Sequence, residues 1–302
     1  MLFVLAFDHR NSLRTAFFGI KGEATPAQHA MAREAKLVIV DGLLSAVGSG
    51  LPAGRPGVLV DDEYGVEAAR RARAAGVAVA MPVEQSGRRE LEFEHAPFYA
   101  AMEPLKPDYV KVLVRYNPNA DAAMNRRQRE KMLSVQEWAA RNRTGFMLEL
   151  LVPPESAAPA RPDYDTALRP RLTLAAVKEL IEAGLRPELW KLEGMGRRGE
   201  YAAIAREVLA ARSDAGCLVL GRGEDEAAVG RWLKLAAPVP GFAGFAVGRT
   251  IWWQPLRAYF DGTMSRDEAV HSIGVNYLRV VRLYVEAVRS PVGGAPPTEA
   301  HI

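Results

Sequence analysis

Glu188-Leu189-Trp190-Lys191-Leu192-Glu193-Gly194 is a short, mostly apolar run with a lysine at its centre and a glycine at its exit. Arg186-Pro187 precedes it and Met195-Gly196 follows, so the run reads as a buried strand bounded by turn residues. Alternation along a strand puts Leu189, Lys191 and Glu193 on one face and Trp190 and Leu192 on the other. Lysine is almost never fully buried without a reason. Two readings follow. Lys191 is a strand-end lysine that reaches solvent or pairs with Glu193, or it is an amine used as a nucleophile on a carbonyl.

Working outward, the same strand-then-helix signature recurs. Upstream, strands are expected at Leu2–Asp8, Gly57–Val60, Val77–Met81, Tyr109–Val114 and Thr144–Val152; downstream, at Cys217–Leu220 and Phe242–Val247. Helical patterns follow nearly all of them, near residues 26–47, 66–75, 120–142, 172–183, 200–212 and 224–236, with two more at 253–260 and 265–289. Gly76 and Gly184 read as helix stops. Eight strands alternating with helices imply parallel pairing and a single (β/α)8 TIM barrel of the α/β class over residues 1–289. An open doubly wound sheet would want a glycine-rich fingerprint after its first strand, and Asp8-His9-Arg10-Asn11-Ser12 has none. The five-proline stretch Pro153–Pro170 is long enough to be a lid or disordered. The tail 290–302 reads as unstructured.

Composition narrows the function classes. At 302 residues, 49% hydrophobic and 25% charged, the chain suits a soluble barrel with a sizeable core. The net charge of +3 is spread along helices rather than clustered, which disfavours nucleic acid and leaves small anions open. A single cysteine, Cys217, excludes an internal disulfide and suits a reducing cytoplasm. The apolar start is too short for a signal peptide, and no run approaches the ~20 residues of a membrane span. The last helix, with Tyr277, Leu278 and Tyr284, suits packing on the barrel or on a second copy in a homo-oligomer.

Catalytic groups of this barrel type gather at the carboxyl ends of the strands. The polar residues expected there are Asp8, Asp61, Glu63, Lys111, Arg115, Glu149, Lys191 and Glu193, with Gly221-Arg222-Gly223 and Gly248-Arg249-Thr250 ending the last two strands. Any one charge suits a structural ion pair; so many at one end are harder to explain that way. The two Gly-Arg turns are either ordinary tight turns or a phosphate site of backbone N–H groups, a helix amino terminus and arginine. A Schiff-base lysine attacks as the free amine. Burial and a neighbouring cation favour that form, and Lys111 is the candidate cation. Glu149, on the adjacent strand, is the candidate acid/base group. The five histidines (His9, His29, His95, His271, His301) form no ligand pair. Asp61-Asp62-Glu63 is the one alternative magnesium site, and no metal site is assigned.

At Leu5-Ala6-Phe7-Asp8-His9-Arg10, Leu59-Val60-Asp61-Asp62-Glu63-Tyr64-Gly65, Trp190-Lys191-Leu192-Glu193 and Gly244–Trp253 the chain resembles the class I aldolases of the tagatose-1,6-bisphosphate aldolase group. It resembles more closely still the 5-dehydro-2-deoxyphosphogluconate aldolase-like domain fused to a sugar kinase in myo-inositol catabolism. The resemblance implies Lys191 as Schiff-base lysine, Glu149 as acid/base partner, and Asp8 and Lys111 as active-site polar groups. Arg249, Gly248 and Gly221 would hold the phosphate, beside Arg222, Arg115, Asp61 and Glu63 as candidate substrate contacts. It also implies no cofactor, a sugar phosphate as ligand, and cleavage of 2-deoxy-5-keto-gluconate 6-phosphate to dihydroxyacetone phosphate and malonate semialdehyde. The alternatives are a phosphosugar isomerase, epimerase or decarboxylase on the same barrel, or a non-catalytic phosphosugar-binding protein. His9, Gly194 and Gly221-Arg222-Gly223 depart from the tagatose pattern and bear on the substrate, so sulfofructose phosphate or another ketose phosphate stays open.

Overall fold

The computed structural model describes residues 1–155 and 163–289. The expected tail at 290–302 and the middle of the Pro153–Pro170 loop lie outside the described residues. Eight parallel strands, β1 (Leu2–Ala6), β2 (Arg55–Leu59), β3 (Ala78–Pro82), β4 (Tyr109–Arg115), β5 (Gly145–Leu151), β6 (Leu189–Glu193), β7 (Gly216–Leu220) and β8 (Phe242–Val247), pair in sequence order. β8 returns to pair with β1, so the sheet closes into the barrel that the strand–helix alternation predicts.

Helices α1 (Pro26–Gly48), α2 (Val66–Ala74), α3 (Met102–Leu105), α4 (Ala122–Asn142), α5 (Arg169–Glu182), α6 (Arg198–Ala211), α7 (Glu226–Ala236), α8 (Arg249–Phe260) and α9 (Arg266–Arg289) wrap the outside. Thr25 and Gln28 form a reciprocal capping box before α1, with Pro26 at its first position. The outward strand faces and the inner helix faces form one large apolar layer. Inside the barrel a smaller cluster (Leu2, Val4, Leu59, Ala80, Met147, Leu189, Leu218) fills the lower half. Higher up, the inward positions turn polar, and that change of layer makes the floor of the site. α9 packs on the barrel: Tyr277 donates its hydroxyl to the Phe3 carbonyl at 2.7 Å and Tyr284 to that of Phe242 at 3.0 Å.

Two local features differ from expectation. α8 begins at Arg249 rather than near Trp253, because Gly248 ends β8 and caps the helix in one step. Leu13–Phe17 and Tyr164–Leu168 form π-helical turns in stretches expected to be loop. The first places Phe17 edge-on to Trp253, with the Arg257 guanidinium over its ring at 4.1 Å. β3 leads into an irregular segment and only one short helical turn, α3.

Candidate active site

β5 and β6 pair so that Glu149 stands opposite Lys191. Both point inward, as Met147 and Leu189 do two residues earlier. Lys191 Nζ lies 2.9 Å from Glu149 Oε1, and the residue is 5% exposed. It therefore neither reaches solvent nor pairs with Glu193, whose carboxylate belongs to Arg222.

The other Glu149 oxygen faces Lys111 of β4, at 2.8 Å. Lys111 is not the bare cation the sequence suggests. Its Nζ also lies 3.0 Å from Asp8 Oδ2 and 2.6 Å from Glu84 Oε1. Burial opposes its charge, but the carboxylates of Asp8, Glu149 and Glu84 outweigh that and hold the ammonium well above the usual lysine value. Asp8 is pushed up by burial and pulled further down by Lys111, Lys191 and His9, so it stays well below the ordinary carboxylate range. Glu149 is lowered in the same way, burial being outweighed by Lys111 and Lys191. For Glu84 burial wins over Lys111, and its carboxyl is raised.

Two connected hollows meet at Lys191. The larger, about 520 Å³, runs from Glu149 and Lys191 to Glu193, Arg222, Gly223 and Arg249. The smaller, about 260 Å³, is lined by Asp8, Asn11, Ser12, Glu84, Lys111 and Lys191 among others. His9, Arg115 and Glu149 border both. The His9 ring is pushed down to about 4 by burial, with Asp8 opposing and Lys36 and Arg249 adding, so it is neutral at pH 7. Its Nδ1 is buried without a hydrogen-bond partner.

The far wall of the larger hollow is built by two loops. Gly248 lets the chain pass over the end of β1, since a Cβ there would lie 2.1 Å from the Ala6 carbonyl oxygen. Trp252 donates its indole N–H to that oxygen at 3.0 Å. Gly223 (φ +78°) adopts the left-handed conformation, and a Cβ there would strike the Arg249 guanidinium at 2.3 Å. Arg249 donates to the Arg222 carbonyl at 2.9 Å and stands at the amino terminus of α8, where helix N–H groups favour an anion. Arg222 is less available: its guanidinium meets Glu193 Oε1 at 3.2 Å and Asp165 Oδ1 at 3.0 Å. Arg115 donates to the Arg88 carbonyl at 3.0 Å.

Asp8, Lys111, Glu149, Lys191, Arg115, Gly221, Arg222, Gly248 and Arg249 thus share one mouth. Asp61 and Glu63 do not join them. Asp61 is fully buried, 2.5 Å from Lys36 Nζ, and accepts the backbone N–H groups of Glu63 and Tyr64 at 3.1 and 2.8 Å. Glu63 is exposed and borders neither hollow. That pairing also removes Asp61 from the alternative magnesium site, and among the described residues no His, Cys, Asp and Glu cluster is arranged to hold a metal. Glu84 and His9 are the site residues that the strand-end reasoning passed over. A wider hollow of about 770 Å³ at the opposite end of the barrel has Arg55, Arg73, Lys106 and Arg143 on its walls. Lys106 and Arg143 cap the carboxyl ends of α3 and α4, where cations complement the helix dipole.

The profile of a family described as "Uncharacterized protein conserved in bacteria (DUF2090)" matches residues 1–288, and the chain belongs to that family. None of the curated proteins matches the sequence. Among solved structures, the chain is similar to Cgl0159 of Corynebacterium glutamicum, at 20% identity and TM-score 0.55 over 93% of this chain and 85% of that one. It is similar to the fructose-bisphosphate aldolase of Plasmodium falciparum at 13% identity and TM-score 0.61, over 93% and 89%. An archaeal fructose-1,6-bisphosphate aldolase, captured with its catalytic lysine bound to the carbinolamine intermediate, matches at 14% identity and TM-score 0.56, over 96% and 94%. At these identities the likenesses establish the barrel. No helix among the described residues is long and apolar enough to cross a membrane.

Proposed function

We propose that this member of the DUF2090 family is a class I aldolase that reversibly cleaves a ketose phosphate through an imine at Lys191. The observation that carries the reading is a buried lysine whose only ion-pair partner among the described residues is one carboxylate, opening on a cavity whose far wall is an arginine at a helix amino terminus. The archaeal and Plasmodium neighbours are aldolases by name, and one is described with a carbinolamine on its lysine, which is the chemistry this pair suits.

Lys191 first gives an ammonium proton to Glu149 Oε1, 2.9 Å away, and its free amine attacks the substrate ketone. A second N–H proton passes to the new alkoxide to make the carbinolamine, and Glu149 returns the first to that hydroxyl, which leaves as water and yields the iminium. Lys111 holds the other Glu149 oxygen and keeps the carboxylate aimed. The phosphate sits at Gly248-Arg249 with the Gly221-Arg222-Gly223 turn beside it, which sets the ketone over Lys191. The reaction uses no cofactor. We take 2-deoxy-5-keto-gluconate 6-phosphate, the substrate suggested by the resemblance to the inositol-breakdown enzymes, as the first to test, and a cytoplasmic site of action.

Borohydride reduction with dihydroxyacetone phosphate, followed by intact-mass analysis, tests the reading directly. A stable adduct at Lys191, absent from Lys191→Met, is expected. No adduct with any of a panel of ketose phosphates sinks the proposal and favours an isomerase or a binding protein on the same barrel.

A further inference from the structure

The retro-aldol step needs a second proton acceptor, and Glu149 is poorly placed to be it. Both Glu149 oxygens already face lysine nitrogens, Lys191 at 2.9 Å and Lys111 at 2.8 Å. Asp8 is held by Lys111 at 3.0 Å and lies near His9. Glu84 differs. It follows β3 by two residues and keeps the inward parity of Ala78 and Ala80. Its residue is 8% exposed, one oxygen is fixed by Lys111 at 2.6 Å, and the other, Oε2, is buried without a hydrogen-bond partner. A buried carboxylate oxygen left unpartnered is costly in a native structure unless something binds there.

The chamber geometry says what would bind. The larger hollow carries Arg249 and takes the phosphate end. The smaller hollow lies on the other side of Lys191, with Glu84 on its wall. A substrate held by its phosphate in one and by its ketone at Lys191 must place its departing half in the other. Resting on the imine reading of Lys191, we propose that Glu84 is the base that takes the proton from the hydroxyl of the departing aldehyde half.

The step balances without an external reagent. The bond between the carbon beside the iminium and the carbinol carbon breaks, and its electron pair forms the enamine double bond while nitrogen regains its lone pair. The hydroxyl O–H electrons become the second bond of the aldehyde carbonyl, and the proton goes to Glu84 Oε2. In the condensation direction Glu84 returns it to the new alkoxide. The environments support this division of labour. Burial raises Glu84, while Lys111 and Lys191 lower Glu149, which makes Glu84 the stronger base of the two.

Glu84→Gln keeps the shape and one contact to Lys111 but removes the base. The expected result is a normal borohydride adduct with dihydroxyacetone phosphate, and cleavage of the ketose phosphate slowed by about 10²–10⁴-fold. Solvent deuterium exchange into dihydroxyacetone phosphate through the enamine should stay within a few-fold of wild type, since it needs no aldehyde. Near-normal cleavage overturns the proposal, and so does a parallel loss of adduct, exchange and cleavage, which marks a structural role. If the Gln variant does not fold, Glu84→Asp keeps the charge and shortens the reach. Cleavage slowed with the adduct intact is expected, and unslowed cleavage overturns the assignment. A wild-type protein that forms no adduct overturns the imine reading as well, whereas failure confined to the Glu84 variants leaves that reading standing.

Discussion

Two buried lysines, Lys36 and Lys191, each face a buried carboxylate, yet their surroundings differ, and our proposal gives them opposite tasks. Lys36 of α1 is 1% exposed, and its ammonium is saturated: Asp61 Oδ2 at 2.5 Å, the His9 carbonyl at 3.0 Å and the Phe7 carbonyl. All three acceptors are fixed by the fold, and neither hollow of the site reaches it. It ties the first helix to the ends of β1 and β2 and holds up the loop that presents Asp8 and His9. Lys191 has a single carboxylate partner and a cavity at its tip. Burial and charge pairing are thus shared by both lysines; what sets Lys191 apart, and what our proposal rests on, is spare valence beside open space.

Exchanging each lysine for methionine breaks the comparison most sharply. Lys191→Met should lose on the order of 10⁵-fold or more in cleavage, as removal of a nucleophile does elsewhere, with little change in urea midpoint because Glu149 keeps Lys111. Lys36→Met should do the reverse to the fold. It leaves the Asp61 carboxyl buried without its counter-ion, which costs about 3–5 kcal/mol. Lys36→Met/Asp61→Leu should recover much of that. Equal destabilisation by the two single variants, in urea titrations, would erase the distinction.

Arg249 tests the other end of the larger hollow, with a smaller effect. Arg249→Ala removes the charged donor that we assign to the phosphate, an interaction of about 1.5–3 kcal/mol, so KM for the ketose phosphate should rise by roughly 10- to 150-fold. Trapping of unphosphorylated dihydroxyacetone should be unchanged. Arg222→Ala should matter less, because Glu193 and Asp165 already engage its guanidinium. A larger KM effect at Arg222 would relocate the phosphate.

The contrast between the lysines also marks what was legible in the sequence. Inward parity is a local property with period two. It therefore predicts Lys111, Glu149 and Lys191 facing inward, and the register sets Glu149 opposite Lys191. The same parity reaches Glu84, because past Pro82 the chain stays extended and bridges to Phe93, whereas a proline reads as the end of a strand. Asp61 failed for the opposite reason: past Leu59 the chain turns, and the carboxylate folds back onto the N–H groups of Glu63 and Tyr64. The Lys36–Asp61 pair and the Arg222–Asp165 pair join residues far apart in the chain, and no spacing rule reports them. The start of α8 at Arg249 was hidden because a glycine-arginine turn looks alike whether a loop or a helix follows.

His9 connects the two lysine centres, since its carbonyl is bonded to Lys36 while its ring borders both hollows at Lys191. Burial, with Lys36, Arg249 and Lys191 adding and Asp8 opposing, lowers its pKa from 6.5 to about 4. The unfolded chain therefore binds this proton more readily than the folded one. Stability falls as pH drops below about 6.5 and levels off near 4, with a ceiling of about 3 kcal/mol at ~1.4 kcal/mol per pKa unit. His9→Gln has no proton to gain. Relative to wild type it should be progressively more stable as pH falls from 7.5 to 5, by urea unfolding at each pH. A constant difference across that range would mean that the ring is solvated, and the wall between the two hollows would then be wetter and more open than the packing against Trp252 implies.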